Sequence, residues 1–280
     1  MQKIALITDS TCDITKDLIE KYNIHVIPFR IIYSNREYRD GVDISAEEVY
    51  LNLENEVPTT SLPSLLDMEN LFDKLEGEGY THAIAVTVSS GLSGMFNALR
   101  LVSLERENIK CHVFDSKTIS LAEGGIVLKC AEMLKENKSF EEIIEALPKL
   151  RDRMECYMVM ATLKYLKKGG RIGKISGTIA EALNLKPVIR VNEEGVYDTH
   201  DKVRGRKQSI KRLIEIVSKF EKPGEVYVVH GGAEEEMKFL ADQLQALPNV
   251  KSVLLGGNTT PVCGVHSGPG LLGFAYLVEE

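Results

Sequence analysis

Residues 83–106 read AIAVTVSSGLSGMFNALRLVSLER. The first six are small, β-branched or apolar, the composition of a buried strand. Ser89-Ser90-Gly91-Leu92-Ser93-Gly94 then breaks the run with hydroxyls and glycines. From Met95 the apolar residues recur at helical spacing as far as Arg106. Strand, polar turn and helix in that order form half of a βαβ unit, and the same rhythm extends outward in both directions. Residues 4–8 read as a strand that stops at Asp9-Ser10-Thr11, good capping residues for an amphipathic helix over 14–22. Residues 24–29 are strand-like, with Pro28 weakening the end. Helices are predicted over 46–53, 65–76 and 119–135, and a strand over 112–114. This alternation predicts a mostly parallel sheet with helices on both faces.

After residue 150 the pattern changes. A strand is predicted over 155–162, and a hairpin over 186–191 and 196–200 around Asn192-Glu193-Glu194-Gly195. A helix follows over 207–220, then strand, helix and strand over 226–230, 237–247 and 250–255, and a last strand over 273–278. The expected architecture is therefore α/β with two domains. An N-terminal parallel α/β domain covers 1–150 and a C-terminal mixed-sheet α/β domain covers 151–280, with the boundary in 148–152. A cleft between them is the default ligand site.

Composition narrows the function. Apolar content of 44% and charged content of 27% in 280 residues are those of a soluble globular protein. A net charge of −7 disfavours nucleic-acid binding. Local basic clusters at 164–174 and 202–212 fit either a solvated helix face or a partner surface. The five cysteines are odd in number and never in CxxC spacing, which points to reduced thiols in a cytoplasm and away from a structural zinc site. No leader or membrane-spanning run is read, so the protein is expected to be cytoplasmic.

Five motifs place hydroxyls, a cation or bare amides beside apolar runs. They are Asp9-Ser10-Thr11, Thr60-Ser61-Leu62-Pro63-Ser64, 89–94, Gly169-Gly170-Arg171-Ile172-Gly173 and His266-Ser267-Gly268-Pro269-Gly270. In 89–94, Ser93 and Gly94 open a helix, so Ser93 either caps it or donates to an anion there. A nucleophile elbow needs GxSxG, and Met95 stands where its second glycine belongs. Thr60 and Ser61 precede a helix that Ser64 is fit to cap. The 168–175 stretch misses GxxxxGK[ST], with Ile175 in place of the hydroxyl that would hold Mg²⁺, so nucleotide binding by this chain is discounted. Arg171 remains a cation on a glycine turn, suited to a carboxylate or phosphate. His266 is either a structural histidine or an imidazole exposed by its glycines. No metal-binding motif appears, and no metal or cofactor is expected.

In this order and combination the motifs resemble the DegV family of fatty-acid-binding proteins, across essentially the whole chain. Leu62 and Ser267 depart from the Gln and Thr common there, but neither change removes a hydroxyl or the imidazole. The resemblance implies a two-domain α/β protein holding one long-chain fatty acid in a buried tunnel. By that likeness Ser61 and Ser93 donate to the carboxylate, with Thr60, Gly94 and Ser267 close by. His266 completes the polar end, and Arg171 and Arg204 are the neighbouring cations. The likeness further implies a non-enzymatic substrate-presenting subunit that offers the acyl carboxylate to a separate ATP-using fatty acid kinase subunit for phospholipid synthesis. Contact with membranes would then be transient and superficial. Burying about fourteen methylenes at ~0.8 kcal/mol each offers roughly 11 kcal/mol before ordering costs, enough to favour a lipid over a small polar ligand. A stand-alone enzyme acting on a small carboxylate or phosphate ester, and a lipid store or sensor with no kinase, are the alternative readings.

Overall fold

The structure, a computed structural model, describes residues 2–175 and 185–280. Strand β1 (Ile4–Asp9) is the inner strand of a four-stranded parallel sheet. β2 (Ile24–Ile27) lies on one side of it, and β6 (His82–Thr87) with β7 (Lys110–Asp115) on the other. Helices α1 (Lys16–Tyr22), α3 (Leu65–Gly77), α4 (Met95–Leu104), α5 (Leu121–Lys135) and α6 (Phe140–Asp152) belong to this half. Ser64 caps α3 through a reciprocal pair with Asp67, as the sequence suggests.

The second half is a six-stranded mixed sheet in the order β10-β9-β8-β13-β11-β12. Its strands are β8 (Met154–Val159), β9 (Leu185–Val191), β10 (Tyr197–Arg204), β11 (Gly224–Gly231), β12 (Val250–Asn258) and β13 (Leu271–Val278). Helices α8 (Arg206–Val217) and α9 (Glu234–Gln245) cover one face. The other face meets α5. The two sheets, parallel then mixed, match the fold class expected from the sequence.

Three local expectations are corrected by the structure. Asp9 caps a single 3-10 turn, Ser10–Cys12, and α1 starts only after Thr15. Pro28 ends β2, and the chain turns into β3 (Arg30–Ile32) of a separate three-stranded sheet with β4 (Glu37–Arg39) and β5 (Thr59–Ser61). His266 belongs to a short helix, α10 (Pro261–Ser267), instead of a glycine loop.

Helix α5 positions everything else. Ten of its fifteen residues are buried, on every face, and it touches β1 and β6 of the first sheet and β8, β11 and β13 of the second. Such a helix is stable only between two apolar surfaces. Gly124 and Gly125 let it come close. A Cβ at 124 would overlap the Cys12 carbonyl oxygen, and one at 125 would lie 2.9 Å from the Met154 methyl and 3.3 Å from the Tyr227 ring. One continuous apolar core results, running from Leu6 and Ile84 through Ile126 to Met158 and Ala275. Gly124→Ala is expected to destabilise the protein by about 1–3 kcal/mol, since the obstacle is backbone rather than a movable side chain. Chemical denaturation measures this, and an unchanged midpoint would show that α5 is free to shift.

Candidate functional site

Between the sheets, at the start of α5, lies a cavity lined by residues of both halves of the chain. One face of the mixed sheet forms its floor. β8 and the residue just beyond it supply Cys156, Met158 and Met160, and β13 supplies Leu271, Gly273 and Ala275. Gly273 pairs with Met158 and Ala275 with Cys156, so the small residues leave the room that the methionines border. Ile119 and Ser120 line it from the turn before α5, Leu121 and Ala122 from the start of α5, and Val262, Cys263 and His266 from α10. The lining is mostly apolar.

The polar groups gather at one end. Thr60, on β5 of the small sheet, and His266, on α10, are joined by a 2.8 Å hydrogen bond between Thr60 Oγ1 and His266 Nε2. Burial, with a smaller push from the Arg171 guanidinium, lowers the imidazole to about 4, so it is neutral near pH 7. A neutral imidazole has one N–H. If Thr60 donates to Nε2, the proton sits on Nδ1, which has no partner among the described residues. If Nε2–H donates, the Thr60 hydroxyl proton is free instead. Either way the pair keeps one donor to spare, as an anion would require. Ser93 lines the same cavity, and its Oγ accepts the Met95 amide at 3.2 Å, leaving its own proton available. Arg171 is exposed at the rim and its Nη1 donates to the Gly169 carbonyl at 2.6 Å. Gly169 is obligatory: a Cβ there would overlap His266 Nδ1.

Five of the residues singled out in the sequence therefore line one cavity: Thr60, Ser93, Arg171, His266 and Ser267. Ser267 is buried and its hydroxyl donates to the Gly268 carbonyl. Ser61 is exposed, with its hydroxyl on the Leu62 carbonyl, and neither it nor Gly94 lines the cavity. Arg204 does not join the group. Tyr197 at the start of β10 lines the cavity, and Arg204 is seven residues further along that strand, roughly 20 Å away at about 3.3 Å per residue.

The first two serines of the Ser-rich turn serve its own anchoring. Ser89 donates to the Gly195 carbonyl at 2.7 Å, which docks the β9–β10 hairpin tip onto the turn. Ser90 amide and hydroxyl both bond Asp115, whose carboxyl these contacts hold below the ordinary carboxylate range despite burial. Gly173, at φ 57°, lies against Tyr197, and the Lys174 amide donates to the Tyr197 carbonyl at 2.8 Å. Turn, hairpin tip and glycine strap together frame the cavity.

Sequence reasoning missed a buried carboxyl group of residues behind the cavity. Asp13 accepts from the Ser120 hydroxyl, the Thr259 hydroxyl at 2.8 Å and the Thr260 amide at 2.7 Å. Asp40 accepts the Val262 amide at 2.8 Å. Both aspartates thus take up amides at the N-terminus of α10, whose own cap residue makes no side-chain bond, and so fix the helix that carries His266. Thr11 Oγ1 lies 2.7 Å from Asp9 Oδ1 and 2.9 Å from Glu123 Oε2. One hydroxyl proton cannot serve both, so one carboxyl supplies a proton of its own. Glu123 holds it, since burial raises its pKa well above the ordinary value. Burial also pushes Asp13 up, Asp9 up to about 6 and Asp40 up to about 7. Only pattern-free polar residues flanking β1 and α10 signalled this group. Among the described residues no cluster of His, Cys, Asp or Glu is arranged to hold a metal ion.

Residues 3–279 match the family described as "Uncharacterised protein, DegV family". The chain belongs to the DegV family. A DegV domain-containing protein of Clostridium acetobutylicum is 52% identical over 281 residues, covering all of both chains. Two solved DegV structures share the fold closely. The Thermus thermophilus DegV family protein, a fatty-acid-binding protein, superimposes with a TM-score of 0.92 at 29% identity, covering 99% of this chain and 100% of that one. Bacillus subtilis DegV, also a fatty acid binding protein, gives 0.90 at 30% identity over all of both chains. Fatty-acid binding thus occurs among DegV family proteins of this fold.

The raised carboxyls make a pH prediction with a definite sign. A carboxyl whose folded pKa exceeds its unfolded value binds more protons when folded, so its contribution to stability falls as pH rises from about 4 to about 7. Asp40→Asn keeps an acceptor for the Val262 amide and removes the buried charge. It is expected to raise stability at pH 8 by about 2–4 kcal/mol relative to its effect at pH 4. Denaturation at the two pH values tests this, and an equal effect at both would contradict the assignment.

Proposed function

We propose that this DegV-family chain binds one long-chain fatty acid in the cavity and presents its carboxylate at the rim to a separate ATP-dependent kinase subunit. The supporting observation is the shape of the polarity: a mostly apolar cavity between two sheets with donors gathered at one end. Thr60, Ser93 and His266 hold the carboxylate there, and Arg171 neutralises it from the rim. The neutral imidazole matters, because a hydrogen-bond donor without charge orients the anion while leaving it reactive toward an incoming phosphoryl group. The chain divides near residue 150, with the carboxylate at the junction of its two halves. It acts in the cytoplasm as a carrier, and phosphoryl transfer belongs to the partner. The absent Walker pattern supports that division of labour, and so does the exposure of Lys167, Lys168 and Arg171 beside the polar end.

Burial of the alkyl chain dominates affinity, and the polar contacts dominate orientation. Ser93→Ala and His266→Ala are therefore expected to lower acyl phosphate formation about tenfold or more, with ATP and the kinase subunit supplied. Fatty acid recovered with the purified variants should fall much less. Parallel mass spectrometry of bound lipid separates the two effects. Complete loss of lipid from both variants would contradict the proposal, and so would unaltered phosphorylation.

A further inference from the structure

Helix α2 (Ala46–Asn52) packs against α10, the helix that carries His266. Its Tyr50 has a hydroxyl that is buried and has no hydrogen-bond partner among the described residues. Other buried phenols in the protein do better: Tyr227 donates to Glu225 at 2.9 Å, and Tyr276 to the Asn249 carbonyl at 2.7 Å. Covering a hydroxyl without giving it a partner is costly, so buried tyrosines usually find one. The surroundings are nevertheless shaped around this side chain. A Cβ at Gly231 would stand 2.7 Å from the Tyr50 hydroxyl oxygen, and one at Gly264 3.2 Å from it. Ring packing accounts for those glycines. It leaves the hydroxyl unexplained, since a phenylalanine ring fills the same space.

Position says what the hydroxyl serves. Gly264 and Ser267 are three residues apart on α10 and so share a face of it. The point where a Gly231 Cβ would sit, 2.7 Å from Tyr50 Oη, is also 3.5 Å from the Gly268 carbonyl oxygen. That carbonyl is the group to which the Ser267 hydroxyl donates at 3.2 Å. The two hydroxyls and the carbonyl thus occupy one small neighbourhood at the end of α10. Ser267 lines the cavity from there, and Tyr50 stands behind it. Burial raises the phenol's pKa, with a smaller opposing effect from the Ser267 hydroxyl beside it, so near pH 7 Tyr50 is a donor.

We infer that Tyr50 is a positioning residue for the bound carboxylate, acting through Ser267. When Ser267 turns its proton from the Gly268 carbonyl toward a carboxylate in the cavity, its oxygen accepts from the Tyr50 O–H, which has no competing acceptor. Donation then runs from Tyr50 to Ser267 to the carboxylate, with one proton in each hydrogen bond and none transferred. Hydrogen bonds linked in this way strengthen one another. The inference rests on the fatty-acid reading of the cavity, and it adds a residue that no sequence motif marks.

The test uses delipidated full-length protein with carboxyl-¹³C palmitate and hexadecanol as probes. Tyr50→Phe keeps the ring among its glycines and removes only the hydroxyl. Palmitate affinity is expected to fall about three- to tenfold, and that of uncharged hexadecanol much less. The ¹³C signal of bound palmitate should titrate at higher pH than in the wild type. Ser267→Ala should also weaken palmitate, and the double variant should be no weaker than Ser267→Ala alone. Equal losses for both probes would show a packing role only and overturn the inference. Additive losses in the double variant, or unchanged palmitate binding in Tyr50→Phe, would overturn it too. Each of these outcomes leaves fatty-acid binding standing. Failure of the wild type to take up palmitate would remove the fatty-acid reading and this inference with it.

Discussion

The structure depends on a helix whose first two turns are buried all round and which meets solvent only toward its C-terminal end. α5 is apolar or small around most of its circumference, so it persists only while both sheets cover it. Two glycines set how closely it sits against the 3-10 turn on one side and β8 and β11 on the other. The sheets are thereby held apart by the width of one helix. Where α5 stops, at Ser120, that spacing continues but the helix does not, and the gap becomes the cavity. The ligand site is in this sense the vacant end of the slot that α5 fills.

The polar residues around that end explain how two halves of a chain make one site. Thr60 and His266 are 206 residues apart in sequence and meet at hydrogen-bond distance. Their meeting relies on Asp13 and Asp40, which reach from the first half to the amides of α10. Ser120 bears the geometric cost: its backbone, at φ 61° and ψ −145°, lies where residues other than glycine rarely go. The Asp13 bond and the Gly124 amide on its carbonyl hold it there. Buried carboxyls with raised pKa values are a poor choice for stability alone. Their placement against α10 is intelligible as positioning for the site.

Much of the fold was legible because it is locally encoded. The strand–turn–helix rhythm around 83–106, the hairpin at 192–195 and the Ser64 cap each follow from a few neighbouring residues. The small sheet was not legible, because its three-residue strands pair across the 26 residues between Ile32 and Thr59. α10 was hidden by the glycines and proline around His266, although Pro261 in its first turn is a recognisable start. In the site, hydroxyls and imidazole stood out as motif residues. Asp9 read as an ordinary cap residue, and Asp13 and Asp40 belong to no motif, since only tertiary burial distinguishes them. The end of β10 was not legible, because its alternation fades among charged residues before the strand stops at Arg204.

The central claim is that the slot beyond α5 holds an acyl chain, and denaturing extraction of the purified protein followed by mass spectrometry addresses it most directly. The account predicts a fatty acid of about 14–18 carbons at close to one per chain, retained because its methylenes are buried at ~0.8 kcal/mol each. A protein that yields no lipid, and that takes up none when fatty acid is added, would contradict the account.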